Sequence, residues 1–294
     1  MIIVRLQGGL GNQMFQYAIG RALSLKNNTT LGLDTHDLMD RTAHPGQVTF
    51  RNYDLDLLSV TAQVLTQDQI PARYRSLGTG ITSRITRKIR DVFVPHAGVE
   101  QQFHFDGDVL DSGPESYLTG YWQSPRYFEG YEDTIRADFK VAKPLPEIVV
   151  TLQKQIKEQQ SVCIHVRRGD YVGSKVHDVV TKEYYDQALK MLQSKVAIDC
   201  IYVFSDDIKW CEENLTFSYL TIFVGAEYAG ERAIVGHFEL MRACTHFIIP
   251  NSSFAWWAAW LSESPDKIVI APKQWFVDAS IDSTDVTPKE WIRI

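Results

Sequence analysis

From residue 145 onward, short apolar runs alternate with amphipathic stretches, and this rhythm constrains the fold more than any other feature of the chain. Strand-like runs fall at 161–166, 200–205, 220–224, 246–249 and 267–270. Apolar residues at helical spacing mark 148–157 and then the intervals at about 181–195, 207–214, 231–244 and 253–262. A strand that returns parallel to its predecessor needs a long crossover, and a helix supplies one. The alternation therefore predicts an α/β fold with a parallel sheet and helices on both faces. In open sheets of this kind ligands gather beyond the carboxyl ends of the strands. The residues that directly follow each run are thus the candidates for function.

The opening repeats the pattern. Residues 1–6 read as a buried strand, Gly8-Gly9-Leu10-Gly11 as a tight turn, 12–26 as a helix and 30–34 as the next strand. The middle, about 40–115, carries mixed signals and long loops. Within it, Ile81, Ile85, Ile89 and Val92 form one stripe, with Arg84, Arg87, Lys88 and Arg90 largely off it. Two readings follow: a surface helix with a solvated face, or a basic amphipathic helix in peripheral contact with a membrane. The whole is read as two Rossmann-like domains facing across a cleft, 1–144 and 145–294, joined near Pro144 and Pro146. The C-terminal segment is free in this reading to pack back on the first domain.

Composition narrows the function. A chain of 294 residues with 45% hydrophobic content can bury a large core. A net charge of −6 argues against a general nucleic-acid binder, while a few local arginines still suffice for a small anion. The start, Met1-Ile2-Ile3-Val4-Arg5, lacks the form of a secretory signal, and no apolar run reaches the length of a membrane span. Cys163, Cys200, Cys211 and Cys244 show no metal or redox spacing. They are read as reduced core residues of a cytoplasmic protein.

Five segments carry chemistry. Gly8 to Gln13 lies between a strand and a helix, where free backbone N–H groups hold anions. Gly9 and Gly11 fit a dinucleotide fingerprint, with Asp34 at the end of the next strand. Met14 then stands where that motif needs a small residue, which argues against a dehydrogenase. Asn12 and Gln13 either cap the helix or line a cleft. His165-Val166-Arg167-Arg168-Gly169-Asp170-Tyr171 follows a strand. Two arginines there need an anion or a carboxylate, either a bound phosphate or Asp170 itself. Ser205-Asp206-Asp207 ends the next strand; one aspartate caps a helix and the other is open to a base or ribose. Asn251-Ser252-Ser253-Phe254 opens a helix, where the serines cap it or bind phosphate. Trp256, Trp257 and Trp260 beyond it read as core. Gly120-Tyr121-Trp122-Gln123-Ser124 combines aromatic faces with an amide, which suits either a pyranose ring or packing. Asp54-Leu55-Asp56 and Asp106-Gly107-Asp108 have the spacing of a metal-binding pair but read as turn or surface residues.

Taken in this order, the segments resemble those of bacterial α-1,2-fucosyltransferases, glycosyltransferase family eleven. The likeness runs from Ile2 almost to the C-terminus, with 40–110 as the variable part. It implies a GT-B fold, GDP-fucose as donor, no cofactor and no metal for chemistry, and inversion at the anomeric carbon. It implies a β-galactoside acceptor, expected in an O-antigen or other surface glycan. By the same resemblance Arg167 holds the β-phosphate, His165 and Asp170 support that loop or the ribose, and Asp206 lies near the nucleoside. Ser252, Ser253 and Phe254 lie near diphosphate and base, and Asn12 faces the fucose. Gly9, Gly11, Gln13, Arg168, Asn251, Trp122 and Gln123 complete the expected substrate contacts. The general base stays open among Asp170, Asp34 and a carboxylate of the first domain. A carbohydrate-binding protein without turnover, and a transferase with another nucleotide sugar or linkage, are the competing readings.

Overall fold

The structure is a computed structural model that describes residues 1–41, 50–75, 97–100, 102–228 and 233–294. The stripe at 81–93, with its membrane reading, lies outside the described residues. The chain forms two compact units, Met1–Ala142 and Lys143–Ile294.

In the first unit β1 (Ile2–Arg5) leads into α1 (Leu10–Lys26), β2 (Leu31–Asp34), the short α2 (His36–Met39), β3 (Gln63–Val64), β4 (Ala97–Val99), β5 (Tyr117–Thr119) and α3 (Glu132–Asp138). The sheet order is β3-β2-β1-β5-β4, and every pair is parallel. Helix α1 starts two residues before the predicted Asn12. Gly8 adopts φ +77 and Gly9 is extended, so Gly9 becomes the N-cap and its carbonyl accepts from Asn12 and Gln13 N–H. Asn12 therefore does not cap the helix. Gly20 lets α1 sit directly on the sheet, since a Cβ there would lie 2.4 Å from Val4 Cγ2 and 2.8 Å from Leu31 Cδ1. Tyr17 hydroxyl and Arg21 Nε both donate to Asp138 Oδ2, at 2.7 and 2.9 Å, and tie α1 to α3. The short strands β3, β4 and β5 have no periodicity of their own; pairing creates them, β3 on β2, β5 on β1 and β4 on β5.

The second unit follows the predicted alternation: α4 (Glu147–Lys157), β6 (Ser161–Val166), α5 (Lys182–Gln193), β7 (Cys200–Ser205), α6 (Ile208–Asn214), β8 (Leu220–Phe223), α7 (Ala233–Ala243), β9 (His246–Ile248), α8 (Ser253–Leu261), β10 (Val269–Ala271) and β11 (Ile292–Arg293). Its sheet order is β11-β10-β9-β6-β7-β8, again parallel throughout. Strand β6 is buried at every position, as a strand covered on both faces must be. Trp256, Trp257 and Trp260 form an aromatic cluster with Trp291 inside this unit. The four cysteines are free and buried. The last residues add β11 beside β10 in this same sheet.

Each sheet reverses its winding at one place. In the first unit the chain runs outward from β1 to β2 and β3, then returns on the far side, so the reversal lies between β1 and β5. In the second it lies between β6 and β9. These reversals leave a crevice at the carboxyl edge that loops from both directions flank.

Candidate active site

At the reversal of the second sheet, the loop after β6 meets the loops after β7 and β9. Arg167 donates to Asp170 Oδ1 from Nε at 3.1 Å and from Nη2 at 2.6 Å, and its Nη1 lies 2.9 Å from Asp206 Oδ2. Asp206 Oδ1 accepts from the Arg168 backbone N–H at 2.8 Å. A Cβ at Gly169 would stand 2.6 Å from Asp206 Oδ2 and would push that carboxylate from its place. Arg168 is held differently: Nε meets Asp207 at 3.2 Å and the guanidinium stacks over Trp210 at 3.7 Å. Asp207 also caps α6 by accepting from Trp210 N–H at 3.2 Å. Of the two adjacent aspartates, Asp207 is thus the cap and Asp206 the clamp on the arginine loop.

Two guanidinium groups face three carboxylates, so the edge is no simple basic trap. What it offers an anion is direction. The Arg167 fork keeps a second N–H on both Nη1 and Nη2 beyond its bonds to Asp170 and Asp206, and a guanidinium matches phosphate oxygens in that geometry. Its side chain is 24% exposed, so it is reachable from solvent.

The loop after β9 supplies the second wall. Asn251 is 2% exposed and its amide donates to His177 and Trp275 carbonyls at 3.1 and 2.9 Å. Tyr171 hydroxyl donates to the Asn251 carbonyl at 3.1 Å, which links this loop to the arginine loop. Asn251 is therefore a strut of the site, a role the sequence reading did not foresee. Ser252 is the N-cap of α8, and Ser253 begins the helix with its N–H at the positive end of the dipole. Phe254 packs against His165 and Phe238, with ring centroids at 6.0 and 5.2 Å. His165 is buried, and its pKa is pushed down to about 3 by burial first, then by the charges of Arg167 and His237. It stays neutral. Its Nδ1 and Asn251 Oδ1 are buried without a hydrogen-bond partner among the described residues.

The first unit gathers its own cluster at the reversal between β1 and β5. Asn12 Oδ1 accepts from Gln123 Nε2 at 2.7 Å, which joins the helix start to the loop after β5. Gly9 and Gly11 frame that start, Gly9 as cap and Gly11 inside the first turn. Gln13 is fully buried: its Nε2 donates to Gly8 and Asn52 carbonyls and its Oε1 accepts from Asp54 N–H. It braces the loop from within. Trp122 is 1% exposed, stands edge-on to Tyr127 and has φ +56, a strained angle for a side chain of that size. It offers no open ring face. Asp34, named as a possible base, is 4% exposed; His36 N–H and Nδ1 meet its Oδ1, and Tyr117 hydroxyl donates to its Oδ2 at 2.6 Å. The paired aspartates at 54–56 and 106–108 each head a single 3₁₀ turn. Among the described residues, no group of three His, Cys, Asp or Glu side chains is arranged around a common metal position.

Sequence reasoning did not name two further groups. Trp210 carries the Arg168 guanidinium, and Glu100, directly after β4, accepts from Tyr121 and Trp122 N–H at 2.6 and 3.0 Å. Neither lies in a recognisable motif; adjacency of strands β4 and β5 is what brings Glu100 in.

The chain is 31% identical to an alpha-1,2-colitosyltransferase of Escherichia coli, over 100% of this chain and 99% of that protein. It is 30% identical to the O-antigen biosynthesis glycosyltransferase WbnK of Escherichia coli, over 98% and 99% of the two chains. In fold it is similar to a mutant of Arabidopsis thaliana FUT1 solved in complex with GDP, with a TM-score of 0.52 at 12% identity over 98% of this chain and 74% of that one. The two parallel α/β units are of GT-B type. The sequence model described as Glycosyl transferase family 11 matches residues 1–294, and the chain belongs to that family.

Proposed function

We propose that this glycosyltransferase moves L-fucose from GDP-fucose to the 2-OH of a terminal β-galactoside, with inversion and without a metal ion. The observation that carries the reading is the Arg167 guanidinium, fixed by Asp170 and Asp206 at the sheet reversal with N–H donors to spare, on a loop that Tyr171 ties to the loop before α8. In a single displacement the acceptor oxygen bonds to fucose C1 as the bond from C1 to the diphosphate breaks. The leaving GDP gains negative charge, and Arg167 with the Ser253 N–H meets it. One preorganised donor of this kind is typically worth roughly 10²–10³-fold in rate. Asp206 and Asp170 hold the arginine in place, His165 and Phe254 form the apolar floor, and Asn12, oriented by Gln123, faces the sugar. O-antigen or other surface-glycan synthesis is supported by the WbnK likeness. The acceptor linkage is supported by a galactoside 2-alpha-L-fucosyltransferase of Caenorhabditis elegans, 26% identical over 91% of this chain and 71% of that protein. A cytoplasmic setting, in which four free cysteines stay reduced, belongs to the same proposal. Among the described residues, no helix is long and apolar enough to cross a membrane.

The colitosyltransferase likeness favours a second reading, in which the transferred sugar is colitose. The test is incubation with GDP-fucose or GDP-colitose and a panel of β-galactosides, with EDTA present, followed by linkage analysis of the product. An α-1,2-fucosylated galactoside supports the first reading and a colitosylated one the second. Donor binding without transfer to any acceptor, or loss of turnover on chelation, overturns the mechanism.

A further inference from the structure

The reaction proposed above needs a group to take the acceptor's hydroxyl proton, and the structure narrows the choice. Asp170 Oδ1 is held by Arg167 through both Nε and Nη2. Asp34 is buried, with one oxygen on His36 and the other on the Tyr117 hydroxyl. Both carboxylates serve as anchors. Glu100 is different. It directly follows β4, beside β5 and the reversal of the first sheet, and is partly exposed. The N–H groups of Tyr121 and Trp122 donate to its two oxygens, which aims the carboxylate and leaves each oxygen a further lone pair. Gly120 is required by this contact, because a Cβ there would lie 2.5 Å from Glu100 Cβ and 2.9 Å from Glu100 Oε2. The Gly120 carbonyl is pinned in turn by Gln16 Nε2 at 3.0 Å. Trp122 is held at φ +56 in the same turn, and the next residue, Gln123, orients Asn12. A strained turn clamped from two sides and aimed by a carboxylate is the arrangement of a working site rather than of a surface loop.

Resting on the transfer reaction proposed above, we infer that Glu100 is its general base. As the acceptor oxygen bonds to C1 and the electron pair of the breaking C1–O bond leaves with the diphosphate, the hydroxyl proton passes to a Glu100 oxygen. Burial holds its carboxyl above the ordinary glutamate range, against the lowering effect of the two N–H bonds, and a raised carboxyl is the better proton acceptor. The titratable group that faces it is the Tyr121 phenol, itself raised by burial first and then by the Glu100 charge.

Glu100→Gln is expected to lower transfer turnover by roughly 10²–10⁴-fold while leaving the donor KM unchanged. The wild-type rate should fall as pH drops through the Glu100 titration, and this acid limb should vanish in the variant. Formate should restore part of the turnover of Glu100→Ala. Near-normal transfer by Glu100→Gln overturns the inference. So does a folded Glu100→Ala that formate does not rescue, which marks Glu100 as a clamp of the turn only. If Glu100→Ala does not fold, an unchanged acid limb in Glu100→Gln overturns it. His36→Gln should transfer normally; a loss there, with Glu100→Gln active, assigns the proton to the imidazole on Asp34. Absence of transfer by the wild-type protein defeats the proposed function instead.

Discussion

Replacing Arg167 by alanine separates catalysis from stability, and the site predicts how far apart the two effects lie. The guanidinium touches Asp170 at 2.6 Å and Asp206 at 2.9 Å, and the three side chains are 24%, 33% and 26% exposed. At that exposure water screens the pairs, and each is worth about 0–1 kcal/mol. Losing both therefore costs at most about 2 kcal/mol, since the freed carboxylates can rehydrate. For a unit of this size that lowers Tm by at most about 4–8 °C. Turnover is affected more strongly. A donor aimed at charge that appears only as the diphosphate leaves is worth about 2.7–4 kcal/mol, or roughly 10²–10³-fold in rate. Initial rates of GDP release in the presence of acceptor, paired with calorimetric melting, measure both. Arg167→Lys should fall between wild type and alanine, because it keeps a charge but loses the fork. A kcat/KM for Arg167→Ala within tenfold of wild type, with the protein folded, refutes the assignment of Arg167 to the leaving group.

Two further outcomes test the fold that holds the site. Gly20→Ala forces a methyl against Val4 and Leu31, both buried. Overpacking of about 1–3 kcal/mol should exceed the helix-propensity gain of about 1 kcal/mol, so Tm falls by a few degrees; an unchanged or higher Tm refutes the close contact. His165 makes stability depend on acid. Its folded pKa is about 3, whereas an unfolded histidine titrates near 6.5, so between those values the unfolded chain takes up a proton that the folded one refuses. Stability should drop as pH falls through that window, by up to about 1.4 kcal/mol per pH unit from this residue, and His165→Gln should remove the dependence. Urea unfolding at several pH values measures this, and parallel profiles for the two proteins count against a buried neutral imidazole.

Much of the second unit was legible in the residues alone. A strand buried on both faces must be a continuous apolar run, and a parallel return must pass through a helix, so 161–166, 200–205 and the intervals between them could be read directly. The same logic located Arg167, Asp206 and Asn251–Ser253, because ligand-facing groups of such sheets follow strand ends. The first unit was less readable. Strands β3, β4 and β5 are two or three residues long and exist through their pairing with neighbouring strands, β3 with β2, β5 with β1 and β4 with β5.

Local pattern thus determined which segments become strands and helices, and which polar residues stand at their ends. Only tertiary structure decided what those residues face. It showed Gln13 spent on three backbone groups, Trp122 sealed edge-on to Tyr127, and Asp207 rather than Asp206 spent on a helix cap. It also brought Glu100 to Tyr121 across 21 residues of chain. The reason is physical. Secondary structure follows from short-range periodicity, whereas the partner of a carboxylate or an amide is chosen by strand order, which no local stretch of sequence encodes.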